Sequence, residues 1–520
     1  MNVGSLLARH ARFRGGDIAV VCGARRFTFA EHYARVNRVA NVLRSLGLGK
    51  GDALAIILPN CIELLEAYRA CAQLGVVSVP LSPLLRGAGL VSLLRDSDTK
   101  AVLACRSMIE ALDEARLELG GIAADHYILT DAPGTPGYRD YAALAAAASA
   151  DPPPAPDLRD DDVYNVIYSS GTTGQPKGII HTHYVRALYC TMFASQFRFT
   201  PESVVMHAGS LVFNGAFVTL MPAWYLGCKF VLQERFDAAA FLDLVERERV
   251  THVMMVPSQI VAVLNAPNFS REKLQSLQML CSVGAPWHRE HKEALLHTLP
   301  NSLYELYGLT EGFITVLDRA DFARKIDSVG TPIPFGGMRI VGDDGRDLPA
   351  GQPGEIVGYS PLMMPGYYKR PDLTAQTIVN GWLHTGDVGM VDEDGYLHLV
   401  DRKKDMIISG GVNVFPKDIE EIAVQHPAIR EVAVFGVASE KWGESPFAAV
   451  ILKEAGSATT DDLRTWINAR VAARYQQLQG VVIVDDFPRS TAGKTLKRVL
   501  RDVYATQPDA AAAARPLTTA

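Results

Sequence analysis

The feature that most constrains the fold is a regular alternation of short apolar segments with helical segments in the first third of the chain. Residues 53–59, "ALAIILP", and 76–82, "VVSVPLS", have the composition of buried strands, and residues 61–75 between them have helical spacing. Before them, residues 18–29 indicate a hairpin and residues 30–47 a helix. Strands separated by helices of this length predict parallel βαβ units, and the fold class is therefore α/β.

The pattern changes twice further along the chain. A Pro- and Asp-rich connector at residues 149–162 leads into a second α/β block that runs to about Ala320. From about Ser328, short strands alternate with Gly and Asp turns, which predicts a barrel-like β section. After Asp401, a helix over "KDIEEIAVQH", a strand over "EVAVFGVA" and a helix over "TTDDLRTWINARVAARY" predict an α+β section.

Charge and hydropathy exclude several classes of protein. The net charge of −6 disfavours a nucleic-acid-binding surface. The N-terminus carries Arg9, Arg12 and Arg14 and so lacks the apolar core of a signal peptide, and no run approaches eighteen apolar residues. Seven scattered cysteines without a C-x-x-C pair indicate free thiols in a reducing compartment. We expect a cytoplasmic protein without an integral membrane segment.

The segment "YSSGTTGQPKG" at residues 168–178 has the chemistry of a phosphate cradle. Its glycines let backbone N–H groups approach an anion, and its hydroxyls and ammonium add donors. It is not a Walker A loop, because Pro176 precedes Lys177 and Gly178 follows it. A flexible surface turn is the alternative interpretation of this segment taken alone. The candidate phosphate-binding residues are Ser169, Ser170, Gly171, Thr172, Thr173, Gly174 and Lys177.

Four further stretches lie far apart in the sequence. They are "YGLTEG" from Tyr307, "GWLHTGD" ending on Asp387, "DRKKD" from Asp401 and "PRSTAGK" ending on Lys494. Each alone is typical of a core aromatic, a turn cap, solvated charge or a loop lysine. Their joint occurrence, in this order with the Ser/Thr/Gly loop, resembles the adenylate-forming superfamily of acyl-CoA synthetases, nonribosomal adenylation domains and luciferases. The resemblance extends to about Arg501.

The resemblance implies an enzyme that joins a carboxylic acid to coenzyme A with ATP and Mg²⁺. The acid would first form an acyl-adenylate with release of pyrophosphate, and the acyl group would then pass to a thiol. It also implies a large N-terminal domain over residues 1–402, with two αβ subdomains and a distorted β-barrel. A small mobile α+β C-terminal domain would follow over residues 403–506, with a disordered tail over residues 507–520.

The resemblance also implies the roles of residues in the first step. Lys494 would bridge the acid and the α-phosphate, Thr310 would contact the α-phosphate, and the Ser/Thr/Gly loop would hold the β- and γ-phosphates. Glu311 and Thr173 would hold Mg²⁺, and Asp387 would bind the ribose hydroxyls with Arg402 in support. Tyr307 would stack on adenine beside Glu305 and Leu306. Further candidate cofactor-binding residues are Gly284, Ala285, Pro286 and Gly308.

For the second step, Lys404 matches the family's hinge between the two domains. Gly410 and Gly411 would let the pantetheine arm of coenzyme A pass close to the backbone. Trp442 would flank the nucleotide of coenzyme A, with simple packing as an equally weighted alternative.

Two stretches depart from the family pattern. Phe213 stands where many members have a histidine at the entrance of the acyl pocket, so Phe213, Asn214 and Gly215 are the candidate lining of that pocket. The stretch "ARYQQLQG" replaces a common Tyr-Lys and proline. His181 and His183 lack a nearby third ligand, which favours a packing or helix-starting role over a metal site.

Three hypotheses follow from the sequence. The first is a ligase that makes coenzyme A thioesters of a small or medium organic acid, either aryl or fatty. The second is an enzyme with the same adenylation chemistry that loads a phosphopantetheine carrier protein. The third is a non-catalytic nucleotide- or acyl-binding homologue. The expected partner is a small-molecule carboxylic acid, no nucleic acid is expected, and a homodimer is compatible with the resemblance.

Overall fold

A computed structural model describes residues 2–169, 177–402, 405–409, 412–439, 442–471, 473–489 and 495–504. For Ser169, Asp401, Arg402 and Asn413 it describes the backbone alone. The predicted disordered tail, residues 507–520, lies outside these ranges.

The helices of the described ranges are α1 (Leu6–Phe13), α2 (Phe29–Ser45), α3 (Ile62–Leu74), α4 (Gly87–Asp96), α5 (Ile109–Arg116), α6 (Tyr141–Ala147), α7 (His183–Gln196), α8 (Phe217–Leu226), α9 (Ala238–Glu248), α10 (Pro257–Leu264), α11 (Arg289–Thr298), α12 (Pro371–Thr377), α13 (Pro416–Ala423), α14 (Thr460–Asn468) and α15 (Lys497–Tyr504).

The strands of the first 340 residues are β1 (Ile18–Cys22), β2 (Arg25–Thr28), β3 (Ala53–Ile57), β4 (Val77–Pro80), β5 (Thr99–Ala104), β6 (Tyr127–Leu129), β7 (Arg139–Asp140), β8 (Val163–Ser169), β9 (Lys177–Thr182), β10 (Val204–His207), β11 (Lys229–Leu232), β12 (His252–Met255), β13 (Met279–Val283), β14 (Leu303–Gly308), β15 (Ile314–Leu317), β16 (Thr331–Pro332) and β17 (Gly337–Val341). The strands that follow are β18 (Gly354–Tyr359), β19 (Ile378–Val379), β20 (Trp382–Val391), β21 (Leu397–Arg402), β22 (Ile407–Ser409), β23 (Val412–Val414), β24 (Ile429–Ser439), β25 (Gly443–Leu452) and β26 (Gly480–Ile483).

The chain forms two compact units. The larger unit contains Met1–Gly337 and Tyr359–Leu383, and the smaller unit contains Met338–Gly358 and His384–Ala520. A large N-terminal part and a smaller C-terminal part are thus confirmed. The domain limits at residues 402 and 506 stay a prediction.

One sheet of the larger unit has seven strands in the order β7-β6-β5-β3-β4-β8-β9. Strands β3 and β4 pair in parallel and α3 connects them, as the apolar alternation predicts. All five residues of β3 are buried, as expected for an inner strand of a parallel sheet. Helix α3 ends at Gly75, which takes the left-handed conformation with φ of +69° and stops the helix.

The second sheet of the larger unit has nine strands in the order β16-β15-β14-β13-β12-β10-β11-β1-β2. The six central strands from β14 to β1 are parallel, and β15, β16 and β2 are antiparallel to their neighbours. The predicted hairpin of residues 18–29 is β1 and β2. One apolar core contains side chains from both sheets and from α3, α7 and α8.

The β-rich section forms a five-stranded sheet, β17-β18-β20-β19, with β21 paired to β20. This sheet is consistent with the predicted distorted barrel. The smaller unit also contains the sheet β23-β22-β25-β24, with β26 parallel to β25. The helix predicted to continue to Tyr475 ends at Asn468, whose side-chain amide exchanges hydrogen bonds of 2.7 and 3.0 Å with the Leu478 backbone. These bonds hold the following segment against α14 in place of further helical turns.

None of the helices in the ranges given above has the length and apolar character needed to cross a bilayer.

Candidate active site

Four neighbouring parallel strands, β10, β12, β13 and β14, end on the same edge of the nine-stranded sheet, here called the carboxyl edge. Val283, the last residue of β13, lies opposite Leu306 near the end of β14. Residues 208–217, 284–286 and 309–312 directly follow β10, β13 and β14. Ligands of such sheets bind outside the carboxyl ends of the strands. The structure thus brings two of the predicted cofactor-binding segments together and places the predicted acyl segment on the same edge.

Thr310 and Glu311 lie in the tight turn that joins β14 to β15. The N–H of Gly312 donates to the carbonyl of Leu309 at 3.0 Å and closes this turn. Gly312 has a φ of +109°, and a Cβ at this position would collide with the carbonyl oxygen of Leu362. Only glycine fits both restrictions, so the turn is held in one conformation. Both predicted catalytic side chains are therefore carried by a rigid support.

The carboxylate of Glu311 has a buried partner that the sequence analysis did not identify. The hydroxyl of Tyr367 donates a hydrogen bond of 2.7 Å to Glu311 Oε1, and the Tyr367 side chain is only 5% exposed. Burial and the neighbouring Glu311 charge raise the pKa of Tyr367, which keeps it a donor. The Nζ of Lys177 lies 5.6 Å from the centre of the Tyr367 ring. Tyr367 thus links the lysine of the predicted phosphate loop with the predicted metal-binding carboxylate.

The predicted phosphate loop connects two antiparallel strands. Ser169 at the end of β8 pairs with Lys177 at the start of β9, and residues 170–176 between them lie outside the described ranges. A Walker A loop connects a strand to a helix, so this connectivity supports the exclusion of that class. The Nε2 of His181 on β9 donates to the carbonyl of Thr310 at 3.0 Å. The hairpin is thereby tied to the turn that carries Glu311.

The structure confirms that His181 and His183 have packing roles. Both side chains are fully buried, and α7 begins at His183. Burial lowers the pKa of His183 to about 4 and that of His181 well below its ordinary value, so both rings are neutral at pH 7. Across the described part of the chain, no three His, Cys, Asp or Glu side chains are grouped as a metal site would require.

The predicted adenine residues have different environments along β14. Glu305 is 5% exposed and forms an ion pair of 2.5 Å with Lys292 on α11. Leu306 is buried, and the half-exposed ring of Tyr307 packs edge-on against Phe313 at 6.3 Å between ring centres. Residues 284–286 form an exposed loop beside this strand end. Tyr307 and that loop offer open surface, whereas the Glu305 carboxylate is committed to Lys292.

The predicted acyl segment, Phe213–Gly215, follows β10 at the carboxyl edge. Phe213 is half-buried, and a Cβ on Gly215 would lie 3.5 Å from the Cε of Met254 on β12. The buried Asn214 accepts a hydrogen bond of 2.9 Å from Nη2 of Arg186 on α7. The segment is thus packed beside the end of β12 and held by a buried cation.

Sequence reasoning did not single out Tyr367 and Arg186. Tyr367 stands in "PGYYKRP", where nothing distinguishes it from Tyr368. Arg186 stands in "HYVRALY", where an arginine has the pattern of an ordinary helix residue. Their significance comes from long-range contacts, and no local signal in the sequence could have indicated it.

In the smaller unit, the backbone places Asp387 and Arg402 directly opposite each other on β20 and β21. Asp387 is half-exposed, and its N–H donates to the Thr385 hydroxyl at 3.1 Å. Gly386 before it has a φ of +70° and re-orients the chain at this point. The two residues predicted to act on one ribose are therefore neighbours in the sheet, although they are fifteen positions apart in the sequence.

The smaller unit also contains a cavity of about 310 Å³ beside Trp442. Its wall combines aromatic rings, hydroxyls and one guanidinium. It includes most of the stretch "ARYQQLQG", which departs from the family pattern. The lining residues are Ser409, Ser439, Trp442, Ser445, Arg474, Tyr475, Gln477, Leu478 and Gln479.

Several predicted residues lie outside the described ranges: Ser170, Gly171, Thr172, Thr173, Gly174, Lys404, Gly410, Gly411 and Lys494. The residues that flank two of these segments are described. Ser409 pairs with Val412 across β22 and β23, and Arg489 forms an antiparallel bridge with Thr495.

Comparisons with known proteins agree with this arrangement. Residues 7–368 match the AMP-binding enzyme family, and residues 418–494 match the AMP-binding enzyme C-terminal domain. A feruloyl-CoA synthase of Amycolatopsis is 36% identical over 96% of this chain and 98% of its own. A long-chain-fatty-acid–CoA ligase of Mycobacterium tuberculosis is 33% identical over 92% of this chain and 93% of its own.

Among solved structures, ATP-bound MatB from Rhodopseudomonas palustris is 29% identical with a TM-score of 0.86, over 97% of this chain and 99% of its own. The first family match covers more than half of the chain, and both relatives exceed 30% identity over nearly its full length. The chain therefore belongs to the AMP-binding enzyme family and is an adenylate-forming acyl-CoA synthetase.

Proposed function

We propose that this protein activates an aryl or fatty carboxylic acid with ATP and then transfers the acyl group to coenzyme A. In the first step a carboxylate oxygen attacks the α-phosphorus, and the bond to the β-phosphate breaks to release pyrophosphate. In the second step the thiolate of coenzyme A attacks the acyl carbon and AMP leaves. The observation that carries the proposal is the rigid turn of Thr310 and Glu311 at the carboxyl edge, beside the Lys177 hairpin.

In the first step a carboxylate must approach a phosphate of the same charge. Two unit charges 4 Å apart repel by about 4 kcal/mol at an effective dielectric constant near 20. Lys494 is the residue we assign to bridge them, and Thr310 and Lys177 would contact the phosphate chain. Tyr307 and the exposed loop 284–286 would hold adenine, since they offer open surface. Asp387 and Arg402 would bind the ribose, because a carboxylate accepts from both hydroxyls of a vicinal diol.

The residues present fit a magnesium ion. The half-exposed Glu311 offers hard oxygen ligands, and its Oε1 already receives the Tyr367 hydroxyl, which orients the carboxylate. Glu311 and the hydroxyl of Thr173 would hold the ion. When bound, Mg²⁺ supplies positive charge that offsets the charge on the phosphates.

For the second step, we assign Lys404 as the hinge that lets the C-terminal domain rotate. Lys494 and the incoming thiol would both have to reach the same carbonyl in different steps, and a rotation of the small domain between the steps would allow this. Gly410 and Gly411 would line the path of the pantetheine arm. The cavity beside Trp442 would receive the nucleotide of coenzyme A, with its ring and hydroxyl groups as contacts.

The acid would bind against Phe213, Asn214 and Gly215. Aryl and fatty acids are both proposed because feruloyl-CoA synthase and a long-chain-fatty-acid–CoA ligase are both relatives of this chain. A phenylalanine at residue 213 gives the pocket entrance an apolar wall without a titratable group.

The test is a screen of aryl and fatty acids that measures pyrophosphate and AMP with ATP, Mg²⁺ and coenzyme A. We expect AMP and acyl-CoA to form only when all four components are present. Acyl-adenylate that accumulates unchanged in the presence of coenzyme A would contradict the choice of acceptor. Transfer to a phosphopantetheinylated carrier protein would then support the second hypothesis, and absence of turnover with every acid would support the third.

We further propose a cytoplasmic location, since all seven cysteines are free and six of them are buried. A homodimer is proposed from the resemblance alone, and light scattering of the purified protein tests it.

A further inference from the structure

A fully buried cation lies next to the acyl segment. Arg186 on α7 is 0% exposed. Its Nε and Nη2 donate to Oδ1 of Asn165 at 3.2 and 3.1 Å, and Nη2 also donates to Oδ1 of Asn214 at 2.9 Å. Both partners are neutral amides. These bonds orient the guanidinium but do not offset its charge.

The rest of the surroundings of Arg186 is aromatic. The guanidinium carbon lies 4.1 Å from the centre of the Phe217 ring and 4.7 Å from that of Tyr189. Among the described residues no carboxylate forms an ion pair with Arg186, and its Nη1 is buried without a hydrogen-bond partner. Buried charges in proteins are normally paired, and unpaired buried donors are rare. Burial lowers the pKa of Arg186, because the buried surroundings disfavour the charged form of the guanidinium.

Arg186 lies beside the segment that is predicted to bind the acid. Asn214, its closest partner, is the middle residue of the acyl segment, and Phe217 begins the next helix along the chain. The bonds to Asn165 and Asn214 use three of the five guanidinium N–H groups, and the two on Nη1 are left without a partner. Hydrogen bonds from a guanidinium to a carboxylate are charge-assisted and are stronger than bonds to neutral amides.

We propose that Arg186 determines substrate specificity by binding a second carboxylate at the far end of the acid. This inference rests on the proposed function and defines its substrate class as dicarboxylic acids, of which one carboxylate is activated and the other pairs with Arg186. The second carboxylate would supply the missing counter-charge. Asn165 and Asn214 then act as positioning residues that fix the orientation of the guanidinium beside the acyl segment.

The experiment compares acids matched in size: benzene-1,4-dicarboxylate with 4-methylbenzoate, and hexanedioate with hexanoate. Pyrophosphate release is measured for the wild type, for Arg186→Met and for Arg69→Met. Arg69 is a matched control, because it is also a buried arginine on an aromatic ring, 4.0 Å from the centre of Trp224. Its Nε is buried without a hydrogen-bond partner, and among the described residues no hydrogen bond joins Arg69 to the acyl segment.

We expect the wild type to prefer each diacid in kcat/KM. Arg186→Met should lower kcat/KM for each diacid by about 100-fold more than for the matched monoacid, since about this loss is typical of removing one partner of a buried charge pair. Arg69→Met should keep the wild-type ratio of diacid to monoacid. In the absence of ATP, the diacid should raise the melting temperature of the wild type and not that of Arg186→Met.

An unchanged diacid-to-monoacid ratio in Arg186→Met, or a wild type that prefers monoacids, would show that Arg186 only packs the core. If Arg186→Met does not fold, Arg186→Lys keeps the charge but loses the planar guanidinium and its fixed donor positions, and should lower the ratio by about tenfold. Turnover of monoacids alone overturns this inference and leaves the proposed function intact. Absence of turnover with every acid overturns the proposed function itself.

Discussion

Replacing Tyr367 by phenylalanine isolates one hydrogen bond at the candidate site. The change removes the hydroxyl that donates to Glu311 Oε1 at 2.7 Å and leaves the ring and its packing in place. A hydrogen bond to a charged group contributes about 1.5–3 kcal/mol, which corresponds to a factor of about 10–150 in rate. The buried position of Tyr367 prevents water from easily replacing the lost donor. We therefore expect kcat/KM for adenylation to fall by at least about tenfold.

The assay is acid-dependent pyrophosphate release as a function of Mg²⁺ concentration. If the hydroxyl orients a carboxylate that holds the ion, Tyr367→Phe should also raise the Mg²⁺ concentration for half-maximal rate. Tyr368→Phe is the matched control, since the Tyr368 hydroxyl donates to Asp98 at 2.9 Å on the exposed side of the same segment. It should change the rate by less than about twofold. Equal effects of the two changes, or an unaltered Mg²⁺ dependence in Tyr367→Phe, would refute this reasoning.

Three further predictions concern the first step and the stability of the fold. Lys494→Ala should lower the rate of adenylation by about 10²–10³-fold, since removing one electrostatic stabiliser has about this effect. It should have a much smaller effect on the conversion of supplied acyl-adenylate with coenzyme A. Equal losses in the two half-reactions would contradict the domain rotation. Gly312→Ala should lower the melting temperature markedly and abolish activity. The control is Gly345→Ala, since Gly345 has a φ of +76° and open space around its Cβ position. This change should lower the free energy of unfolding by only about 1 kcal/mol. Burial lowers the pKa of His183 and His207 to about 4, so the unfolded state binds more protons than the folded state below about pH 6.5. The free energy of unfolding, measured in urea titrations, should therefore fall as the pH is lowered from about 6.5 to 4. A free energy of unfolding that stays constant over this range would refute the prediction.

Local patterns were sufficient to predict the first βαβ unit of the larger unit. The apolar run of β3 and the helical spacing of α3 predict a parallel unit, because side-chain periodicity reflects which face is buried. The ends of elements were less predictable. Helix α14 ends at Asn468 and not near Tyr475, since bonds between Asn468 and Leu478 compete with further helical turns.

Pairings between distant segments could not be predicted from such patterns. Strand β1 pairs in parallel with β11, about 200 residues later, and nothing in either strand specifies the other. The same limit applies to Tyr367 and Glu311, which belong to separate segments of the larger unit.

The sequence by itself determined the α/β class, the family and the identity of most candidate site residues, because these depend on short motifs whose chemistry is local. Only the tertiary structure decided which groups support them: the Tyr367 hydroxyl on Glu311, the His181 ring on the Thr310 carbonyl and the Arg186 cation on Asn214. The physical reason is that a buried polar group is defined by its partners, and those partners come from elements that meet only after the sheets have formed.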